Sequence, residues 1–175
     1  MAFAVCSLPL RYCRRMPEPQ RVTALTVNHS VPLKLALVGL GTVGQGVVQL
    51  LETNAERITA RLGRPVRLTA VAVRDLQRRR DVTLSDGVML TDDAEALART
   101  GDYDILVELA GGTTMARSVI EQALARGKSV VTANKALIAL HGNILIAEAE
   151  ARGAGIAFEA AVAGGIPVLK ALREG

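Results

Sequence analysis

From Leu33 onward, short apolar runs alternate with stretches whose apolar positions recur at helical spacing. Leu33 to Val38 is a short, mostly apolar run that ends on glycines, the pattern of a buried strand. Val43, Val47, Leu51, Ile58 and Leu62 then recur near multiples of 3.6 residues, predicting one long helix that stops at Gly63 and Pro65. Val66 to Val73 predicts a second strand, Arg74 to Asp86 a polar loop, and Val88 to Leu90 a short third strand. Thr91, Asp92 and Asp93 offer caps for a helix through Arg99 that closes at Gly101. Ile105 to Leu109 reads as a fourth strand, followed by a helix capped by Thr113 or Thr114 that runs to Arg126 and ends at Gly127. Val130 and Val131 make a fifth strand, which Ala133-Asn134-Lys135 breaks. A helix from about Gly142 to Arg152, a sixth strand from Gly155 to Phe158 and a helical fragment from Pro167 to Glu174 complete the pattern. Strands alternating with helices in this way predict an α/β fold, a Rossmann-type doubly wound parallel sheet with right-handed crossovers.

Residues 1–32 do not follow the pattern. They carry Pro9, Pro17, Pro19 and Pro32, scattered arginines and no sustained period. Their apolar start is followed by arginines, the reverse of a secretory signal. The expectation is a disordered or artefactual extension, with a transit peptide as the alternative. Residues 33–165 then form the folded domain, and 166–175 begin a connection to a second, absent domain.

Composition narrows the classes of function. Half the residues are apolar but only 2% are aromatic, with no Trp, so the expected core is Ala, Val, Leu and Ile. The formal charge of +4 gathers at Arg11, Arg14 and Arg15 and at Arg78, Arg79 and Arg80. Stacking aromatics, a basic helix face and zinc spacing are all missing, so no nucleic-acid partner is expected. No apolar run reaches the ~18 residues of a membrane span, so no membrane partner is expected either. Cys6 and Cys13 lie in the extension and form no disulfide framework, which makes a cytoplasmic setting the default.

The chemistry concentrates at strand ends. Gly39-Leu40-Gly41-Thr42-Val43-Gly44 is a GxGxxG between a buried strand and a helix. Gly39 permits the tight turn, Gly41 lets the backbone approach a pyrophosphate, and Gly44 lets helix and strand pack closely. The helix start offers free N–H groups and partial positive charge to phosphates. This predicts a site for NAD or NADP. At the end of the second strand an acidic residue would suit the ribose 2′-hydroxyl and an arginine the 2′-phosphate. The chain presents Arg74 and then Asp75, with Arg78 to Arg80 close by, which leaves both cofactors open and favours NADP. Gly111 and Gly112, after the fourth strand, would let backbone approach the cofactor. Lys135, after the fifth, can aim its ammonium at the nicotinamide or substrate end. Glu159, before an irregular Gly-rich stretch, could help gather oxygens around a hard cation, although these residues alone would not identify a metal site. His29 and His141 lack companions at ligand spacing.

Together these segments resemble homoserine dehydrogenase. The matching stretches are Leu35 to Gly44, Val71 to Asp75, Val107 to Gly112, Val130 to Leu137 and Phe158 to Pro167. The resemblance implies NAD(P)-dependent interconversion of L-homoserine and L-aspartate 4-semialdehyde, on the route to threonine and methionine. It implies that Gly39, Thr42 and Val43 contact the pyrophosphate, that Arg74 meets the adenosine ribose or its phosphate, and that Lys135 lies by the nicotinamide. Glu159 with the backbone oxygens of Val162, Gly164 and Ile166 would match the family's sodium site, a structural brace. In the family a substrate domain follows, supplying an acid–base lysine, carboxylates that hold the small-molecule substrate, and the contacts of a homo-oligomer. The sequence stops at Gly175, ahead of those elements, so it reads as the cofactor half of an oxidoreductase. Two other readings are a non-catalytic NAD(P)-binding redox-sensing module and another amino-acid or semialdehyde dehydrogenase.

Overall fold

The computed structural model describes residues 31–162. The expectations for residues 1–30, for Gly164 and Ile166 and for the helix from Pro167 lie outside the described residues. In chain order the elements are β1 (Leu33–Val38), α1 (Thr42–Thr53), α2 (Ala55–Leu62), β2 (Val66–Ala72), β3 (Met89–Thr91), α3 (Ala94–Thr100), β4 (Ile105–Glu108), α4 (Thr114–Ala125), β5 (Ser129–Thr132), α5 (Lys135–Ala151) and β6 (Ile156–Ala157). A 3-10 turn, Glu159–Ala161, follows. The six strands pair in parallel in the order β3-β2-β1-β4-β5-β6. The order reverses between β1 and β4, and in such sheets ligands bind at the carboxyl ends of the strands flanking that point.

Alternation along the strands builds a core on each face of the sheet. Ala36 and Val38 of β1 join Leu106 and Val130 against Leu97, Ile120, Leu124, Leu137 and Leu145 of α3, α4 and α5. Leu37 of the same strand faces the other way, with Val71 and Val107, towards Val48 of α1. Small strand residues let the helices come close, and the core is as aliphatic as the composition predicts except at one place. Tyr103 is fully buried. Its hydroxyl donates to the Ala98 carbonyl at 2.6 Å, and the Arg126 guanidinium lies 5.1 Å above its ring. Arg126 also donates to the carbonyls of Ala98 (2.8 Å) and Gly101 (2.9 Å), so one cation closes the end of α3 and stacks on the aromatic ring.

Three local expectations are corrected. The helix expected from Val43 to Leu62 is two helices broken at Asn54, whose backbone N–H and side-chain Nδ2 both donate to the Leu50 carbonyl at 3.1 Å. A side chain that competes for the helix's own acceptor bends the chain there. The helix expected from about Gly142 begins at Lys135, because Asn134 caps it by accepting from the Leu137 N–H at 3.1 Å. Thr113 stands at the cap position of α4 but makes no side-chain cap bond. The cap expected for α3 is present: Asp93 accepts from the Ala96 N–H at 2.8 Å. Among the described residues no helix is long and apolar enough to cross a membrane.

Helix α1 packs against the end of β1 at a point with no room for a side chain. A Cβ on Gly44 would lie 2.2 Å from the Gly39 carbonyl oxygen. Gly44→Ala should therefore lower stability by about 1–3 kcal/mol, read as a reduced urea midpoint with an unchanged m-value. A midpoint equal to that of the parent would show that α1 can lift away at no cost.

Candidate functional site

The β1–α1 turn is held by sterics on both sides. Gly39 adopts φ +100, and a Cβ there would also lie 2.8 Å from the backbone of Leu109 and Ala110 at the end of β4. Gly41 is the N-cap of α1, and a Cβ on it would meet nothing within 4 Å. Thr42 and Val43 open the helix on the surface, and the first turn holds no acidic residue. The start of α1 therefore offers its orphan N–H groups and partial positive charge to an anion, over a surface kept bare by Gly41.

Beside this turn lies a cleft of about 780 Å³. Gly39, Gly41, Val73, Arg74, Arg78 and Ala110 are among its lining residues, and it runs from the β1 turn across the end of β2 to the start of α3. The loop after β2 is irregular but tied. Asp75 Oδ1 accepts from the N–H groups of Gln77 (2.9 Å) and Arg78 (3.2 Å). Arg80 donates to the carbonyls of Asp75 (2.6 Å) and Arg78 (2.7 Å), and the Asp81 N–H donates to Gln45 Oε1 on α1 at 2.6 Å. Arg74 is exposed at the mouth and makes no hydrogen bond or ion pair among the described residues. Both residues line the cleft, Asp75 with one carboxylate oxygen engaged by the loop and Arg74 without a partner among the described residues.

On the other side of the strand reversal a second cluster forms. Gly111 (φ +72) and Gly112 (φ +76) take left-handed conformations and face open space. Asn134 Nδ2 donates to the Gly112 carbonyl at 2.6 Å, and Lys135 begins α5 next to it, exposed. Lys135 does not line the large cleft; it shares the carboxyl edge of the sheet with Gly111 and Gly112. Beneath them Glu108 is fully buried. Its Oε1 accepts from the N–H groups of Ala110 (2.9 Å) and Gly111 (3.1 Å), and its Oε2 accepts from the Thr132 hydroxyl at 2.6 Å. Glu108 and Thr132 are register partners; the sequence puts Glu108 at the end of the fourth strand but assigns neither residue a role. The available signal was an acid that ends an apolar strand, with a hydroxyl ending the next.

Glu159 starts the 3-10 turn, and its Oε2 is buried with no hydrogen-bond partner among the described residues. Its backbone carbonyl accepts from the Val162 N–H at 3.1 Å. Among the described residues no three His, Cys, Asp or Glu side chains gather as metal ligands.

Residues 39–159 match the family model described as homoserine dehydrogenase, NAD binding domain. The homoserine dehydrogenase of Pseudomonas aeruginosa is 47% identical over 144 residues, covering 82% of this chain and 32% of that protein. That of Neisseria gonorrhoeae is 45% identical, covering 82% of this chain and 33% of its own length. The crystal structure of a homoserine dehydrogenase from Thiobacillus denitrificans superposes with a TM-score of 0.77 at 49% identity, over 83% of this chain and 33% of that one. The chain therefore spans about a third of the length of the relatives it matches.

The open surface at Gly41 gives a clean test of the anion site. Gly41→Val should still fold, since a Cβ there meets no protein atom within 4 Å and the cost is that of a poorer N-cap residue, yet lose dinucleotide affinity by about tenfold or more. Unchanged affinity in calorimetry, in a variant that still unfolds cooperatively, would place the phosphates elsewhere.

Proposed function

The chain belongs to the homoserine dehydrogenase family, and we propose that it holds NADP(H), in preference to NAD(H), for the reversible reduction of L-aspartate 4-semialdehyde to L-homoserine. The observation that carries this reading is the bare α1 N-terminus at Gly41, set at the strand reversal beside a cleft lined by Arg74. The residues fit a dinucleotide. The orphan N–H groups at Thr42 and Val43 meet the pyrophosphate, Gly39 and Gly44 allow the approach, and Arg74 pairs with the 2′-phosphate. Gly111 and Gly112 line the nicotinamide half, and Lys135 presents a cation towards the carbonyl end of the substrate. When bound, the nicotinamide supplies the hydride that reduces the aldehyde carbon. The groups that hold the amino acid, the acid–base lysine and the homo-oligomer contacts belong, in this reading, to the roughly two thirds of the relatives' length that this chain does not match. A redox-sensing module without chemistry has no comparable support, since the relatives that match are dehydrogenases.

The preference for NADP rests on Arg74, which has no partner among the described residues, while Asp75 is engaged with loop N–H groups. Arg74→Ala should weaken NADPH by about 1.5–3 kcal/mol and NADH far less, because only NADPH carries the 2′-phosphate. Calorimetric titrations of both cofactors decide this, and equal weakening would assign Arg74 to the adenine or to the fold. Tight binding of neither cofactor by the folded chain would overturn the functional reading itself.

We further propose that Glu159, with the carbonyl of Val162 and those of Gly164 and Ile166, holds a sodium ion that braces this segment. The buried Glu159 Oε2, without a hydrogen-bond partner among the described residues, supports it. Replacing sodium by a bulky organic cation should lower the melting temperature of the parent and leave that of Glu159→Gln unmoved. An equal response of the two proteins would remove Glu159 from any ion site.

A further inference from the structure

A fully buried carboxylate costs several kcal/mol unless donors surround it. Glu108 has three, and all lie at the carboxyl edge of the sheet: the N–H groups of Ala110 and Gly111 in the β4–α4 loop, and the hydroxyl of Thr132 at the end of β5. The bonds continue from there. Thr132 Oγ1 accepts from the Asn134 N–H at 3.0 Å, and Asn134 Nδ2 donates to the Gly112 carbonyl at 2.6 Å. Asn134 Oδ1 accepts from the Leu137 N–H at 3.1 Å and so fixes the first turn of α5, where Lys135 stands. The Glu108 backbone carbonyl adds a bond from the Ala133 N–H at 3.3 Å. The result is a closed ring that runs from Glu108 through Gly111, Gly112, Asn134 and Thr132 back to Glu108. It locks two loops together on the β4–β5 side of the strand reversal. The large cleft lies on the β1–β2 side and meets the ring only at Ala110.

A dinucleotide lies across the reversal, with its adenosine half over β1 and β2 and its nicotinamide half over β4 and β5. We propose that Glu108 is a positioning residue for the nicotinamide half, acting through Thr132 and Asn134 to set the relative placement of the Gly111-Gly112 backbone and Lys135. The inference rests on the dinucleotide reading above and adds to it the group that holds the two loops in register. Only a carboxylate completes the ring. An amide in its place turns one N–H₂ either towards the Ala110 and Gly111 N–H groups or towards Thr132, and in each orientation a buried donor loses its acceptor.

The test compares two probes on the 175-residue chain: NADPH, and adenosine 2′,5′-bisphosphate, which lacks the pyrophosphate link and the nicotinamide half. Glu108→Gln and Thr132→Val should each weaken NADPH about tenfold. They should leave the bisphosphate within about twofold, because its contacts lie across the reversal. Thr132→Ser, which keeps the hydroxyl, should restore NADPH affinity. Amide exchange at Ala110, Gly111 and Asn134 should quicken in Glu108→Gln without change in β1 and β2. Equal weakening of both probes would reduce Glu108 to a general support of the fold, and no weakening of either would remove it from the site; either result overturns the proposal. So would failure of Thr132→Ser to restore binding. Should Glu108→Gln not fold, the Thr132 pair decides alone. Failure of the unaltered chain to bind NADPH would be a different result, since it overturns the dinucleotide reading and leaves the ring nothing to position.

Discussion

The carbonyl oxygen of Gly39 and the bare Cα of Gly44 approach so closely that an added Cβ would lie 2.2 Å away, and the rest of the site follows from that contact. It brings the N-terminus of α1 down onto the end of β1. From the opposite side the backbone of Leu109 and Ala110 closes on Gly39, where a side chain would come within 2.8 Å. A helix start, a strand end and the β4 loop therefore converge at the one place where the strand order reverses. Among the described residues a Cβ on Gly41 would meet nothing within 4 Å, so the helix start is open there. A larger residue at Gly39 or Gly44 would push these parts away from one another, whereas one at Gly41 would only fill the space they enclose.

Charge around the cleft is divided between its two ends. Asp75 and Asp93 both line it, yet each carboxylate is engaged with backbone N–H groups, Asp75 in the loop after β2 and Asp93 at the start of α3. Carboxylates that cap backbone have part of their charge answered locally. Among the described residues Arg74 has no such engagement. Asp92 and Glu95 line the cleft as well, exposed and without a bond of this kind among the described residues, so carboxylates gather at its α3 end while Arg74, Arg78 and the helix end at Gly41 carry positive charge at its β1–β2 end.

How much of this was legible in the sequence depended on the range of the interaction. The strands were readable because Leu33 to Val38 and Val66 to Ala72 are local apolar runs, and the turn at Gly39 to Gly44 because its steric demands fall on neighbouring residues. Helix α5 was not, because it is apolar on nearly every side. Leu137 and Leu145 are buried while Leu140 and Ile144 are 67% and 56% exposed, so no polar face marks its period or its start at Lys135. The break at Asn54 escaped notice because the apolar spacing continues across it, and only the competition for the Leu50 carbonyl interrupts the helix. Glu108 was hidden for a different reason. Its decisive partner, Thr132, is 24 residues away on a neighbouring strand, and only the register of the sheet makes them neighbours.

The loop after β2 has no regular secondary structure, yet Asp75, Arg80 and the bond from Asp81 to Gln45 tie it at several points, the last of them onto α1 itself. A ligand that reaches Arg74 therefore meets a surface already shaped, and little chain entropy is lost in forming the complex. A surface ordered in advance discriminates by refusal. A nucleotide whose ribose substituent does not suit it cannot recruit a different loop conformation without first breaking the bond to α1, the helix proposed above to hold its phosphates. On the reading proposed above, selectivity at one end of the ligand is mechanically joined to grip at its middle, and a change of preference at Arg74 would have to carry the anchoring of Gln45 along with it.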